Sequence, residues 1–427
     1  MIDAERAAER GREAAPPAPT EPPRLTLLYH FFRPDDVVSA RLFDELATGL
    51  AERGWRVTVR PANRSCFGRG RRFPRREVRA GVEIRRVWRP DFDQSSNRGR
   101  LLNSAWMHAA WAWSALVSRR RPNEVMLVGT DPILGVLAAI PWKLLRRRTK
   151  TAHWCFDLYP DAAVADGMLA PDGWLPRLLA RLTAAAYRRC DLVADLGACM
   201  GRRLQAIEPS CHPETITPWS LVEPATPPAP DPAVRHELFG DATLGLLYSG
   251  SFGRAHSYEE FLALARALCG SGVAFCFAGR GNRADELRAA VGPDDANIRF
   301  AGFAPEDQLE QRLTACDLHL VSLRPEWTGT VIPSKFFGAL AAGRGVVYAG
   351  APESAIAGWV RAHDAGWVLT PATVPEVAAQ LRALADNPVE LAALRRRCHA
   401  AYHAHFSRSR MVEQWDAALR ALLAERR

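Results

Sequence analysis

The chain lacks any apolar run near the ~20 residues that a membrane-spanning helix needs, which argues against a helical integral membrane protein. Its nine cysteines contain no Cys-x-x-Cys pair. Scattered as they are, with Cys276 and Cys316 beside apolar runs, they read as buried free thiols of a reducing cytosol. That reading fits them better than a disulfide framework or a zinc site. Residues 1–23 are rich in Ala, Pro, Glu and Arg and contain no apolar h-region, so a disordered tail rather than a secretory signal is expected. His399 and His403 stand at i and i+4, followed by His405. No carboxylate or cysteine nearby completes a metal shell, so a surface helix carrying histidines is expected, with no metal.

What is present is the material of a two-domain globular protein. The 427 residues are 48% hydrophobic, long enough for two cores of normal size. A net charge of +9 and a pI near 9.3 favour anionic partners: nucleic acid, anionic lipid headgroups or nucleotide-sugars. The basic residues form no recognisable nucleic-acid module, so no nucleic acid is expected.

The stretch from Trp327 to Gly350, WTGTVIPSKFFGALAAGRGVVYAG, reads as loop, helix start, small-residue helix and buried strand. Pro333 suits a helix entry, where its missing N–H costs nothing. Ser334 or Thr330 is placed to cap that end. Free N–H groups at a helix start beside Lys335 suit an anion such as a nucleotide diphosphate. An ordinary loop–helix–strand unit with a solvated lysine is the alternative.

GTVIPSK followed by ALAAGRGVV resembles the donor segment of retaining glycosyltransferases of family 4, in a bacterial branch that builds cell-surface polysaccharides on lipid carriers. The segment HWCFDLYPDAAVADGML carries the same likeness, which spans roughly residues 25–422. The resemblance implies an α/β, GT-B fold: two Rossmann-like domains facing across a cleft, with a nucleotide-sugar held by the C-terminal one and neither cofactor nor metal required. This sequence departs from the family at its Glu-x7-Glu pair. Those positions are Thr330 and Gly338, and in the family the second Glu holds the ribose. Glu326 is the nearest carboxylate to stand in, though an exposed loop Glu is the plainer reading.

Along the chain, Leu25–Tyr29, a helix near Ser39–Arg53 and Trp55–Val59 open a βαβ unit. The family's first loop is glycine-rich, whereas Asp35 and Asp36 stand here, which disfavours phosphate contact through it. The basic loop from Arg64 to Arg79 reads as a solvated segment or as a footing on anionic lipid. The helix Leu101–Val117 places Leu102, Trp106, Ala109, Trp113 and Leu116 on one face, with Met107 and Trp111 off it. A second apolar helix is expected over Pro132–Leu145. Both end in arginines. Their main faces are expected to pack on a sheet and their surplus tryptophans and arginines to meet a membrane interface.

Thr151–Phe156 is a strand that runs into DLYPDAAVADG. Residues at the carboxyl ends of parallel strands line the crevice, so Asp157 is the first candidate for acceptor contact. Asp161 reads equally well as a helix cap. Val222–Pro232 is a proline linker. After the strand Leu244–Ser249, Gly250, Ser251 and Gly253 allow close approach of backbone to a ligand. The resemblance carries Arg254 onto the donor phosphates, where with Lys335 it forms a cationic clamp. Arg280 and Phe303 are the base contacts it implies, or ordinary loop residues.

These readings give a tail over 1–23, an acceptor-binding Rossmann-like domain over 24–222, a linker over 223–243, a donor domain over 244–405, and over 406–427 a helix crossing back. The expected activity is transfer of a sugar from a nucleotide-diphosphate donor to a lipid-linked glycan acceptor. Asp157, Arg254 and Lys335 carry the chemistry. Gly250, Gly253, Arg280, Phe303, Thr330, Pro333 and Ser334 complete the donor site. The protein is expected to be cytoplasmic and peripheral on an anionic membrane surface. A non-catalytic GT-B scaffold that has lost the Glu pair is the competing class.

Overall fold

Short apolar strands separated by amphipathic helices fold as parallel crossover units, because a parallel ladder needs a long connection and a cover on both faces. The computed structural model describes residues 21–35, 37–66, 70–119, 121–302 and 308–425. Its first half runs β1 (Arg24–Leu28), α1 (Val38–Glu52), β2 (Arg56–Val59), β3 (Arg76–Arg79), β4 (Val82–Arg85), α2 (Asn97–Val117) and β5 (Glu124–Gly129). It continues with α3 (Ala139–Leu145), β6 (Lys150–Trp154), α4 (Asp161–Ala165), α5 (Trp174–Tyr187), β7 (Leu192–Asp195), α6 (Ala198–Ile207) and β8 (Glu214–Thr215). These strands form one sheet in the order β3-β4-β2-β1-β5-β6-β7-β8, parallel except for the β3–β4 pair.

The second half opens with α7 (Pro232–Phe239), β9 (Leu244–Ser251), α8 (Glu259–Ala267), β10 (Val273–Arg280), α9 (Asn282–Ala290) and β11 (Ile298–Phe300). There follow α10 (Leu309–Ala315), β12 (Leu318–Leu323), α11 (Lys335–Ala341), β13 (Gly345–Gly350), α12 (Ala355–Ala362), β14 (Gly366–Leu369), α13 (Val374–Ala385), α14 (Pro388–His405) and α15 (Arg408–Ala424). Its sheet, β11-β10-β9-β12-β13-β14, is wholly parallel. Apart from the antiparallel β3–β4 pair at one edge, the strand order reverses once in each sheet, between β1 and β5 and between β9 and β12. Ligand crevices of such sheets open at these reversals, beyond the carboxyl ends of the strands.

Two helices depart from expectation. The side of α2 that packs inward is Met107, Trp111 and Ala115, while Leu102, Trp106, Trp113 and Leu116 are exposed. The inward side wins because its polar atoms find partners there. Trp111 Nε1 donates to the Arg60 carbonyl (2.9 Å), Ser114 accepts from Arg60 (3.0 Å), and Asn103 donates to the Phe92 carbonyl (2.9 Å). The expected helix over Pro132–Leu145 is a 3-10 turn, Gly135–Ala138, followed by α3. Leu134 takes a left-handed conformation (φ 63°), and the turn closes so tightly on β5 that a Cβ at Gly135 would lie 2.2 Å from the Gly129 carbonyl oxygen.

The linker is pinned along α14. Tyr402 Oη accepts from the Ser220 amide (2.9 Å) and donates to Glu223. His399 Nε2 and His403 Nε2 lie 2.9 and 3.2 Å from the Pro224 carbonyl, which accounts for the histidine pair. Among the described residues no three side chains are grouped to hold a metal. All nine cysteines are free, six of them buried.

The final helix α15 buries Met411, Val412, Trp415, Leu419 and Leu422 in the core of the first sheet. Trp415 meets Trp154 edge-on (5.3 Å), and Trp55 Nε1 donates to Asp416 (2.6 Å). Because Trp415 is fully buried, Trp415→Ala is expected to cost about 3–5 kcal/mol in chemical denaturation of the first half. A loss under about 1 kcal/mol would mean that the helix is not part of that core.

Candidate active site

The carboxyl end of β9 and the start of α11 converge on one lysine. Lys335 Nζ donates to the Ser251 carbonyl (3.0 Å) and stands 5.0 Å from the Tyr248 ring centroid. Tyr248 is itself stacked on Phe252 at 4.0 Å. Gly250 is left-handed (φ 109°), and a Cβ there would come within 3.3 Å of Lys335 Cε, so glycine keeps the lysine seated. A Cβ at Gly253 would meet nothing within 4 Å, which leaves that backbone open. Burial pulls the Lys335 ammonium down to about 8. Neighbouring His256 is pushed down to about 4, first by burial and then by the Lys335 charge, so it is neutral at pH 7. Its Nδ1 lies 2.7 Å from the Ser322 carbonyl. Lys335 is one of three lysines in a chain that otherwise uses arginine for its positive charge. A compact ammonium suits a point contact on a phosphate, and this scarcity is a signal the sequence carried.

The capping expectation fails. Ser334 holds the N-cap position of α11 but makes no side-chain cap bond and is exposed, because its backbone is already helical (φ −63°, ψ −18°) where a capping serine is extended. The Thr330 hydroxyl turns inward to the Trp327 carbonyl (2.8 Å), and Thr330 is fully buried. It offers a ligand no hydroxyl. Pro333 is buried and Glu326 is paired with Arg324 (2.8 Å). Arg280 ends β10, exposed and in register with Ser251. Phe303 lies outside the described residues, as does Asp36. Asp35 is buried and accepts from Ser65 (2.6 Å) and from the Cys66 amide (2.9 Å), so it supports a loop.

On the other side stand the ends of β1, β5 and β6. His30 Nδ1 lies 3.2 Å from Asp131, and the His30 amide donates to the Asp131 carbonyl (3.1 Å). Thr130 Oγ1 accepts from the amides of Phe156 (2.8 Å) and Asp157 (3.3 Å). These bonds fix the half-buried Asp157, whose carboxylate takes no hydrogen bond from any described residue. His30, Thr130 and Asp131 were missed in the sequence, where DPILG reads as a helix entry. The rule that picked out Asp157, a polar residue just past a strand end, applies to them equally.

The two sides meet through few, specific contacts. The Leu158 amide donates to the Thr330 carbonyl (2.8 Å). Arg203 Nε donates to the Thr328 carbonyl (2.7 Å) and its Nη1 to Asp161 (3.1 Å), so Asp161 is an ion-pair partner within the first turn of α4. Arg254 faces Asp166, with Nη1 3.6 Å from Oδ2. Asp157 and the Lys335 segment are thus brought together, with Arg254 beside the same opening. A solvent-open cavity of about 230 Å³, lined in part by Ser257, Leu323, Gly350 and Thr370, lies at the ends of β12, β13 and β14.

Two parallel, doubly wound sheets with a crevice between their strand ends define the GT-B class of glycosyltransferase. Family comparison agrees for both halves: residues 39–217 match the glycosyl transferase 4-like domain and residues 244–387 the glycosyl transferases group 1 model. The chain belongs to this glycosyltransferase family and is an enzyme of that kind. It is 25% identical over 338 residues to Probable glycosyltransferase WbjE of Pseudomonas aeruginosa, covering 77% of this chain and 83% of that one. Among solved structures it is similar to sucrose-phosphate synthase from Thermosynechococcus elongatus, with a TM-score of 0.69, 16% identity, and 94% and 99% of the two chains covered. It is also similar to HepE from Anabaena in complex with UDP, with a TM-score of 0.62, 14% identity, and 93% and 100% covered.

The Asp157 carboxyl is pushed up to about 6, first by burial and then by the charge of Asp131. It is therefore expected to be neutral below that pH and a carboxylate above it. Carbon-13 NMR of the labelled side chain should give a midpoint near 6. Asp131→Asn should lower it while leaving it above the ordinary carboxyl value, because burial remains. An unchanged midpoint would show that the two groups are not coupled.

Proposed function

We propose that the protein moves a sugar from a nucleotide-diphosphate donor to a lipid-linked glycan acceptor in surface-polysaccharide synthesis, with retention at the anomeric carbon. The observation that carries this reading is the Leu158–Thr330 hydrogen bond. It sets the unpartnered Asp157 against the segment that leads, five residues on, to Lys335. The UDP in the similar HepE structure supports a nucleotide-sugar donor. The likeness of GTVIPSK to the branch that works on lipid carriers supports the acceptor.

In this reading the C1–O bond to the donor phosphate breaks and its electron pair leaves with the nucleotide diphosphate. The bond from C1 to the acceptor oxygen forms on the same face. Lys335 and Arg254 meet the negative charge growing on the departing phosphate, in a partly dry site where each contact is strengthened. The open backbone at Gly253 and the glycine at Gly250 let phosphate approach. Asp157 accepts a hydrogen bond from the acceptor hydroxyl and orients it. Arg280 lies along the same strand ends for the base. No helix among the described residues is long and apolar enough to cross a membrane. In this reading the protein meets its lipid-linked acceptor as a peripheral enzyme on the inner face of the cell membrane.

Release of nucleoside diphosphate from a donor in the presence of lipid-linked acceptor tests the assignment. Lys335→Ala is expected to lower kcat/KM on the order of 100-fold. Arg254→Ala, whose side chain is largely exposed, should lower it by about tenfold. Near-normal turnover in both variants would remove the clamp. Because burial lowers Lys335 to about 8, its charged form prevails below that pH. Donor KM should hold below pH 8 and rise above it, and that rise should vanish in Lys335→Arg, which keeps its charge.

A further inference from the structure

The helices over β5 and β6 leave an apolar surface that the catalytic reading does not use. The helix α2, the turn Gly135–Ala138, α3 and α5 pack side by side there. With Met107 and Trp111 turned inward, α2 presents Leu101, Leu102, Trp113, Leu116 and Val117 to solvent, Trp113 being 64% exposed. On α5, Trp174 (74% exposed), Leu178 and Leu182 recur every four residues. Arg177 and Arg181 interleave them on the same exposed stripe. Leu144 and Leu145 at the end of α3, and Met168 ahead of α5, are exposed as well.

The charge on this layer is predominantly of one sign, with an exposed carboxylate, Asp172, at its edge 3.9 Å from Arg177. No Asp or Glu occurs in residues 97–117, 139–150 or 174–190. Exposed Arg98, Arg100, Arg119 and Arg148 stand around its apolar rows. A soluble monomer rarely leaves so many large apolar side chains together in water. The interleaved arginines decide what covers them. A second copy applied to the same face would set a surplus of arginines against arginines, with Asp172 alone at its edge to offset them. An anionic bilayer accepts both groups, with tryptophan and leucine entering the acyl boundary and the guanidinium groups reaching headgroup phosphates. The layer also adjoins the cleft: Asp166, which faces Arg254, precedes Met168 by two residues and Trp174 by eight.

We propose that the outward faces of α2 and α5, with the end of α3, are the surface by which this protein docks on an anionic lipid bilayer. Docked so, the protein holds its acceptor side at the membrane, where the sugar end of a lipid-anchored acceptor reaches Asp157. This rests on the reading of the acceptor as lipid-linked.

The full chain is tested by co-sedimentation with vesicles of phosphatidylcholine alone and of phosphatidylcholine mixed with phosphatidylglycerol. Wild type should pellet with the mixed vesicles and far less with the neutral ones. A Trp113→Ser/Trp174→Ser double variant should lose about tenfold or more in partitioning, at low and high salt alike. Arg177→Gln/Arg181→Gln should lose the preference for anionic lipid and become insensitive to salt. Circular dichroism and water-dependent release of nucleoside diphosphate from the donor should be unchanged in both variants. Wild type remaining in the supernatant, or the tryptophan variant pelleting as wild type does, would overturn the proposal. So would a wild-type dimer that the tryptophan variant converts to monomer, since a second copy would then cover the face. Intact vesicle binding without any donor turnover would sink the transferase reading and leave the docking surface standing.

Discussion

One backbone hydrogen bond, from the Leu158 amide to the Thr330 carbonyl, ties the strand end that carries Asp157 to the loop that leads into α11. Both of its groups lie in irregular segments whose N–H and C=O would otherwise be unpaired beside the cleft. Around it the two halves also meet through Arg203 on the Thr328 carbonyl, Arg202 on the Glu353 carbonyl, Arg254 facing Asp166, and Ile332, Ala355 and Trp359 lying against Gly197. The geometry of the site therefore rests on a few directional contacts beside a short apolar seam around Ile332. Further from the cleft, α15 locked into the first core by Trp415 and the linker pinned by Tyr402, His399 and His403 hold the same relation from behind.

The two faces of the cleft are tuned in opposite senses by one cause. Burial disfavours charge on either sign of group. It lowers Lys335 to about 8 and raises Asp157 to about 6, and Asp131 adds to the second shift. Between those values both groups are ionised without a protein partner of opposite charge. Each is thereby left with electrostatic capacity for a ligand: phosphate on one side, a sugar hydroxyl on the other. Arg254 differs, because Asp166 already meets it and solvent reaches it, so its share of the phosphate interaction is smaller.

The alternation of apolar strands and amphipathic helices made the central strands of both sheets readable from the sequence, whereas the edge strand β3 fell within the stretch 64–79 read as a basic loop, and the two-residue β8 was not read. The strand-end rule located Asp157, and the glycines after β9 together with Lys335 after Pro333 located the other side of the site. What escaped depended on atoms far apart in the chain. Thr330 read as a cap because threonine before a helix caps, yet its hydroxyl was already taken by Trp327. The helix α2 is apolar nearly all round, so periodicity could not choose its inward side. The Arg60 carbonyl and side chain chose it. Asp166 as the partner of Arg254, and His30 and Asp131 as neighbours of Asp157, emerge only when strands apart in sequence become adjacent in the sheet.

The central claim is that a nucleoside diphosphate sits where Lys335 and the open backbone at Gly253 converge, opposite Asp157. A crystal structure of the protein soaked with UDP addresses it without depending on knowledge of the acceptor. The account places a phosphate oxygen about 3 Å from Lys335 Nζ, with another within reach of the Gly253 N–H, and the terminal phosphate turned toward Asp157. A diphosphate bound elsewhere in the chain, with Lys335 still donating only to the Ser251 carbonyl, would contradict it.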